Sequence, residues 1–330
     1  MRQAVRFPLL EVAGLPYDMG MVHGTAFKPL IERSLAVMWE LLPVPVEMAI
    51  EYAARSIPYC REQAPELMEE LLGIADGAGL EMEEIFTLNA GLDLQLSPRQ
   101  LKNVAAPDCW TTAVSGEATA DGRTYVLWTA EDSARWFETS VLLRVEPPGG
   151  LPCLMWTFAG FVGRPGLNPH LALSAAAQFA EDCGPGMPYP FICRKALGMT
   201  STADAVSMIA GYRRMAGMAY TLGDADGNIA SINTSAGNCR MVDSAPGWTA
   251  TAGRWAEERH ARIGELLRER WGHNALPELQ RLQRDHGPGA LCAHDGSLAV
   301  LTSFICDVSA REMWLTHGNP CENEYVRYAL

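Results

Sequence analysis

The stretch "WTTAVSGEATADGRTYVLWTAED", residues 110–132, decides the fold class. Two runs rich in threonine, valine, tyrosine and tryptophan flank Asp121-Gly122, a dipeptide that favours a tight hairpin turn. The stretch therefore predicts two antiparallel strands, with Cys109 at the amino end of the first. The polar, proline-bearing segment before it, residues 97–108, predicts an exposed loop.

The flanking sequence predicts an α+β fold. From about residue 24 to 90 the apolar residues follow helical spacing, whereas later segments predict hairpins around "PPGG" (147–150) and around Asp226-Gly227. Two further helices, one of them at 256–271, interrupt these hairpins. Such an order is typical of mainly antiparallel sheets covered by helices. A dinucleotide-binding domain is not expected, because βαβ alternation and a GxGxxG turn are both missing from the sequence.

Composition excludes several classes of function. The net charge is -13, and no dense Lys/Arg cluster offers a surface for nucleic acid or for anionic membranes. No run of about 18 apolar residues predicts a membrane span, and the amino-terminal segment does not resemble a signal peptide. We therefore expect a cytoplasmic protein with neither nucleic acid nor membrane as a partner.

The nine cysteines are scattered along the chain, and none forms a CxxC pair. This spacing predicts neither a disulfide framework nor a structural zinc site, so no metal is expected. The ordinary role of such a cysteine is that of a small buried apolar side chain.

Cys109 has a second interpretation, because it lies where an exposed loop meets a strand. Cleavage on its amino side would place a thiol and an α-amine on one residue. An α-amine with a pKa near 7.7–8.0 can act as a base around neutrality, and a thiol near 8.5 needs little help to ionise. Nucleophile and base would then be joined covalently.

Several motifs along the chain resemble those of the acyl-coenzyme A:6-aminopenicillanic acid acyltransferase family, a branch of the N-terminal-nucleophile hydrolases. They occur in the family's order over some 300 residues. The motifs are "GLPYDMGMVHG" (14–24), "ELMEELLGIADGAGL" (66–80), "GEATADGR" (116–123), "GFVGRPGLN" (160–168), "MPYPFICRKAL" (187–197), "DADGNIASI" (224–232), "LQRDHG" (282–287) and "MWLTHGNPCENEY" (313–325).

The resemblance implies one N-terminal-nucleophile hydrolase domain over 1–330, an αββα sandwich of two stacked sheets between helical layers. It implies self-cleavage between Asp108 and Cys109, giving a helical segment 1–108 and a strand-rich segment 109–330 that stay associated. Cys109 would take an acyl group from a thioester or amide and pass it to a small amine or to water. No bound cofactor is implied, although a coenzyme A or carrier-protein thioester is a co-substrate, and secondary metabolism is the expected setting.

The resemblance also assigns supporting residues. Thr111 would hydrogen-bond the thiol, and Asp132 in "WTAEDS" (128–133) would orient the amine. The family's oxyanion asparagine falls in "TATAGRW" (249–255), where this chain has none, so Thr251 or a backbone N–H would replace it. Arg164 in "GRPG" could bind a substrate carboxylate, although a turn arginine is more simply interpreted as exposed.

Three alternatives remain open from the sequence. Aligning the threonines of "APDCWTTAV" (106–114) with the family's would place Trp110 at the nucleophile position, whereas the gap-free downstream sequence favours Cys109. Cys109 could also act within an intact chain, activated by a neighbour such as Asp132. Finally, an unprocessed homologue could bind a ligand or partner without catalysis.

Overall fold

The computed structural model describes residues 2–96, 109–178, 180, 182–252, 256–294 and 298–330. Its helices fall into an amino-terminal group, a middle pair and a later pair. They are α1 (Pro16–Leu41), α2 (Val46–Ala54), α3 (Ile57–Gln63), α4 (Pro65–Ala78), α5 (Met82–Gln95), α6 (Tyr189–Ala196), α7 (Thr202–Gly211), α8 (Ala256–Glu269) and α9 (Leu276–Leu282), with a 3-10 helix at Ala134–Thr139.

The described strands form two sheets. One has eight strands in the order β1-β4-β5-β6-β7-β8-β9-β10, and the other has six in the order β11-β2-β3-β12-β13-β14. The strands are β1 (Leu9–Ala13), β2 (Trp110–Gly116), β3 (Gly122–Asp132), β4 (Ser140–Glu146), β5 (Cys153–Phe158), β6 (Gly166–Leu167), β7 (Leu171–Ala177), β8 (Met218–Asp224), β9 (Ile229–Thr234), β10 (Cys239–Met241), β11 (Trp248–Ala252), β12 (Ala299–Asp307), β13 (Glu312–Leu315) and β14 (Val326–Ala329).

The two sheets stack face to face between helices, which confirms the predicted αββα sandwich. Strands β2 and β3 of the six-stranded sheet contact β7 and β8 of the other sheet. Helices α8 and α9 pack on the outer face of the six-stranded sheet, and α7 packs against β8 and β9 of the eight-stranded sheet. Every pairing between the named strands is antiparallel except that of β1 with β4, so the prediction of mainly antiparallel sheets is also confirmed.

The predicted hairpins form where the sequence places their turns. Strands β2 and β3 pair antiparallel, with Gly116 opposite Gly122 at the turn. Gly122 and Gly227 have φ of 73° and 93°, a backbone region that glycine enters without steric cost. The Asp121 carboxylate accepts a hydrogen bond from the Arg123 amide at 3.1 Å, which fixes the first of these turns.

Two of the sequence motifs hold α1 and α4 in close contact. Gly20 and Gly24 of α1 face Gly73 and Gly77 of α4, and a Cβ atom on any of the four would collide with backbone of the opposite helix. His23, between them, is buried and its Nε2 accepts a hydrogen bond from the Gly160 amide at 3.1 Å. These motifs are therefore explained by helix packing.

Within the described ranges, the structure contains no helix with the length and apolar character needed to cross a lipid bilayer.

Candidate active site

Cys109 lies immediately before β2, on the face of the six-stranded sheet that packs against the other sheet. Its side chain is 6% exposed, and its thiol donates a hydrogen bond to the carbonyl oxygen of Glu131 at 3.7 Å. The alternation of β2 turns Trp110 to the opposite face, where its indole N–H donates to the Leu291 carbonyl at 2.9 Å. Strand geometry thus gives the inward position to Cys109 and the outward one to Trp110.

A small cavity between the sheets begins at Cys109. Its lining includes Asp132, Arg164 and Tyr189, with apolar side chains from both sheets and Leu92 of α5. The space is about 10 Å³, which is room for about one water molecule. Among the described residues, therefore, the thiol is enclosed, and an acyl group does not fit beside it in this state.

Asp132 ends β3 and brings a carboxylate to this cavity. Its Oδ1 accepts a hydrogen bond from the Ser133 amide at 2.7 Å. Although part of the side chain reaches the surface, the carboxyl lies against the apolar lining, and this desolvation raises its pKa to about 6, partly opposed by the Ser133 hydrogen bond and by the charge of Arg164. Asp132 can therefore gain or lose a proton close to neutral pH.

Arg164 is buried, contrary to the interpretation of an exposed turn residue. Its guanidinium carbon lies 4.4 Å from the ring centre of Phe158 and 5.2 Å from that of Trp156, with further rings of Trp128, Phe161 and Tyr189 within 5.9 Å. Such cation–π contacts hold a cation without neutralising it. Its Nε has no hydrogen-bond partner among the described residues. Arg164 thus supplies positive charge and a free donor to the cavity.

Burial affects the pKa of the Cys109 thiol more strongly than the positive charge of Arg164 does. Desolvation raises the thiol's pKa to about 12, the carboxylates of Glu131 and Asp132 add to the rise, and the Arg164 charge opposes it. In the state described, the thiol is protonated at neutral pH.

The structure gives the Thr111 hydroxyl a different partner from the predicted thiol. Thr111 is fully buried on the same face as Cys109, but its hydroxyl donates to that of Thr221 on β8. Thr221 in turn shares a hydrogen bond with Ser231 on β9 at 2.8 Å. This chain of hydroxyls joins the two sheets, and Thr111 does not line the cavity.

Thr251 lies on β11 directly opposite Thr111 and faces the same side of the sheet. Its hydroxyl donates to the side-chain oxygen of Asn233 on β9 at 3.3 Å. A role for Asn233 could not be predicted from the sequence, because nothing in the order of residues indicates that β9 lies beneath β11. Asp108, and with it the Asp108–Cys109 bond, lies outside the described residues.

Two further features were missed from the sequence. Tyr189, at the start of α6, lines the cavity. Glu131, whose carbonyl accepts the thiol hydrogen bond, points its side chain to the other face of β3 and forms a buried ion pair with Arg259 of α8 at 3.0 Å. The ion pair fixes the strand end that carries both Glu131 and Asp132. Of the two features, only Tyr189 lies in a motif that the sequence singles out, "MPYPFICRKAL", and that motif assigns it no role.

Comparison with known proteins adds sequence relatives. No known family profile matches the chain. It is 27% identical over 254 residues to an uncharacterised protein of Archaeoglobus fulgidus. It is also 27% identical over 217 residues to the 40 kDa form of acyl-coenzyme A:6-aminopenicillanic-acid acyltransferase of Emericella nidulans. These matches cover 66% and 63% of this chain but 41% and 58% of the relatives, so the chain spans about half the length of the curated relatives it matches.

Solved structures with some likeness include penicillin V acylase from Agrobacterium tumefaciens, with a TM-score of 0.47 and 10% identity over 63% of this chain and 83% of that one. A mutant of the conjugated bile acid hydrolase of Clostridium perfringens gives a TM-score of 0.44 and 10% identity, covering 67% of this chain and 97% of that one. The stacked sheets and helical layers described above establish the fold. The similarity to the Emericella nidulans protein confirms the resemblance found in the motifs.

Proposed function

We propose that this chain is an acyl-transfer enzyme whose nucleophile is the thiol of Cys109, released as a new amino terminus by cleavage after Asp108. The observation that carries the proposal is the placement of Cys109. Cys109 lies immediately before β2 and points into a cavity that also contains the carboxylate of Asp132 and the buried cation of Arg164. Acyl transfer through a thioester uses a nucleophile with its base, a group that orients that base, and donors for the oxygen atoms of the substrate.

The protonated state of the buried thiol favours the freed α-amine as its base. The thiol's pKa is about 12, and its hydrogen-bond acceptor, the Glu131 carbonyl, is not a base. An α-amine has a pKa near 7.7–8.0 and is on the same residue, so it can take the thiol proton without any rearrangement of the sheet.

Asp132 and Arg164 then have complementary roles. Asp132 accepts a hydrogen bond from the freed amine and fixes its orientation. Arg164 offers a charged donor with an unpartnered Nε, and the indole N–H of Trp128, which also lines the cavity, has no partner among the described residues. These donors suit a carboxylate or carbonyl oxygen of the substrate. Thr251 is the proposed oxyanion donor, a role in which its hydroxyl proton has to leave Asn233 and turn towards the substrate. Thr111 keeps the two sheets in register beneath the site.

The pairing of strands supports a cleaved protein whose fragments remain together. β1 belongs to the segment before Asp108 but pairs with β4 in the eight-stranded sheet, from Leu9 opposite Leu142 to Ala13 opposite Glu146. Separating the fragments would remove an edge strand and uncover the core beneath α1. Cleavage before Cys109 leaves this pairing intact.

The substrates that this site favours are an acyl thioester or N-acyl amine as donor and a small amine or water as acceptor. The thioester carrier is coenzyme A or a carrier protein. This choice follows the Emericella nidulans relative, whose name identifies a coenzyme A-dependent acyltransferase. Secondary metabolism is the proposed setting.

Trapping of the acyl-enzyme tests the proposal. The purified protein is incubated with short acyl-coenzyme A thioesters, and peptide mass spectrometry locates the added acyl group. We expect acylation of Cys109 in the wild type and in Cys239→Ala, a control cysteine at the far edge of the eight-stranded sheet, but none in Cys109→Ala. Acylation at another residue, or no acylation by any thioester or amide donor in a cleaved protein, contradicts it.

A further inference from the structure

Four side chains outside the active site converge on one point near the carboxyl terminus. They come from the segment after α9 and from the turn between β13 and β14, and their ligand-type atoms all lie within 4.8 Å of one another. The four are His286, Cys292, His294 and Cys321. Nothing in the proposed acyl transfer uses them.

We propose that these four side chains bind one Zn²⁺ ion in a closed Cys2His2 site. Zinc–sulfur bonds of about 2.3 Å and zinc–nitrogen bonds of about 2.0–2.1 Å in a tetrahedron require ligand separations of about 3.8 Å (S–S), 3.5 Å (S–N) and 3.3 Å (N–N). The Sγ atoms of Cys292 and Cys321 are 3.6 Å apart, and the Nε2 atoms of His286 and His294 are 3.2 Å apart. The His294 Nε2 lies 3.6 Å from the Cys292 Sγ and 3.0 Å from the Cys321 Sγ.

The neighbouring residues suit a metal-bound state. The Nδ1 of His294 lies 3.7 Å from a carboxylate oxygen of Glu322, the arrangement in which a carboxylate orients a zinc-bound imidazole. The Asn319 side-chain amide donates to the Cys292 sulfur at 3.6 Å and to the Ala293 carbonyl at 2.8 Å. A donor aimed at sulfur stabilises a thiolate, which is the form that binds metal.

The ligand set selects the metal and its role. Two thiolates with two imidazoles favour zinc over magnesium or calcium, which prefer oxygen ligands. Four protein ligands leave no open coordination position, so the ion is structural. The cysteine spacing predicted no zinc site because no two cysteines form a CxxC pair, whereas in the fold Cys292 meets Cys321 across 29 residues of chain.

The site connects distant parts of the chain with the strand that carries Cys109. The amides of Leu291 and Cys292 both donate to the Asp285 carbonyl, at 3.1 and 3.0 Å. The Leu291 carbonyl, next to a ligand, accepts the indole hydrogen bond of Trp110. The zinc-bound loop thereby fixes the residue that follows the nucleophile, and loss of the ion should loosen the start of β2.

Metal analysis of the full chain, purified under reducing conditions and dialysed against a zinc-containing buffer, tests the proposal. We expect one zinc per chain in the wild type, and a loss of at least tenfold in occupancy in Cys321→Ser and His294→Gln. Matched controls are Cys239→Ser and His273→Gln, whose residues lie outside the cluster and should keep the metal. A wild type without stoichiometric metal, or metal retained in both ligand variants, overturns the proposal.

A measurement on the wild type alone covers the case in which the ligand variants do not fold. The zinc is removed by chelation and replaced by Co²⁺. Tetrahedral thiolate coordination gives intense visible ligand-field bands and a near-ultraviolet sulfur-to-cobalt charge-transfer band, both saturating at one Co²⁺ per chain, and zinc should abolish them. A weak octahedral spectrum, or a disulfide between Cys292 and Cys321 in the reduced preparation, overturns the assignment.

Discussion

Replacing Asp132 with asparagine should stabilise the uncleaved chain and inactivate the cleaved one. The uncleaved state is obtained as Cys109→Ala, in which the proposed self-cleavage cannot start. In this background Asp132 has a folded-state pKa of about 6, against an ordinary value of 3.8. A carboxyl whose pKa is raised by folding is destabilising when ionised, and asparagine removes that charge while keeping a similar shape.

The magnitude follows from the pKa difference. A rise of about 2 units corresponds to at most about 3 kcal/mol of destabilisation, fully present above the folded pKa and lost as pH falls towards the unfolded one. The free energy of unfolding should therefore increase by about 2–3 kcal/mol at pH 8 in Asp132→Asn, and by about half as much at pH 5. Urea unfolding of the Cys109→Ala protein at several pH values, with and without the second change, measures it.

Two comparisons make this measurement decisive. In Asp182 the burial that raises the pKa is outweighed by hydrogen bonds from Ser235 and Gly237, which lower it, so Asp182→Asn should lower stability at pH 8. In the cleaved protein the freed amine of Cys109 would pair with Asp132, so the gain from asparagine should vanish and turnover should fall by about 10² or more. Equal stabilisation of cleaved and uncleaved proteins would refute the contact between amine and carboxylate.

The other predictions concern packing and charge. Gly73→Ala should lower the free energy of unfolding, measured in urea, by about 1–3 kcal/mol, because the added methyl group meets the backbone of α1. The control Gly211→Ala places its methyl group in open space and should have no such cost. Equal effects of the two changes would contradict the close contact between α1 and α4. Arg164→Met should shift the pH profile of iodoacetamide labelling at Cys109 to higher pH, because it removes a positive charge that lowers the pKa of the thiol. The exposed control Arg240→Met should leave the profile unchanged. An unchanged profile in Arg164→Met would argue against a charge facing the thiol.

Features that depend on local sequence could be predicted. The Asp121-Gly122 turn fixes which residues of β2 and β3 face each other, and the period-two alternation of the strands then predicts that Cys109 and Trp110 face opposite sides of the sheet. The order of helices and hairpins likewise predicts the layers, because each amphipathic element has to bury one face.

Features that depend on the stacking of the two sheets could not be predicted. Arg164 is a turn residue by sequence, but rings from β3, β5 and α6 surround it only after the sheets have packed. The Thr111 hydroxyl meets Thr221 because β8 lies beneath β2, a contact between positions 110 residues apart. The Cys2His2 cluster could not be predicted for the same reason. The fold brings the turn between β13 and β14, which carries Cys321, next to the segment after α9, which carries the other three ligands.

The central claim, that Cys109 becomes an amino-terminal nucleophile, is tested most directly by the intact mass of the purified protein. The account predicts two associated fragments, 1–108 and 109–330, for the wild type, and a single 36.0 kDa chain for Cys109→Ala. It also predicts that amino-terminal sequencing of the larger fragment begins Cys-Trp-Thr-Thr. A wild type that remains one 36.0 kDa chain while it turns over an acyl substrate would contradict the account.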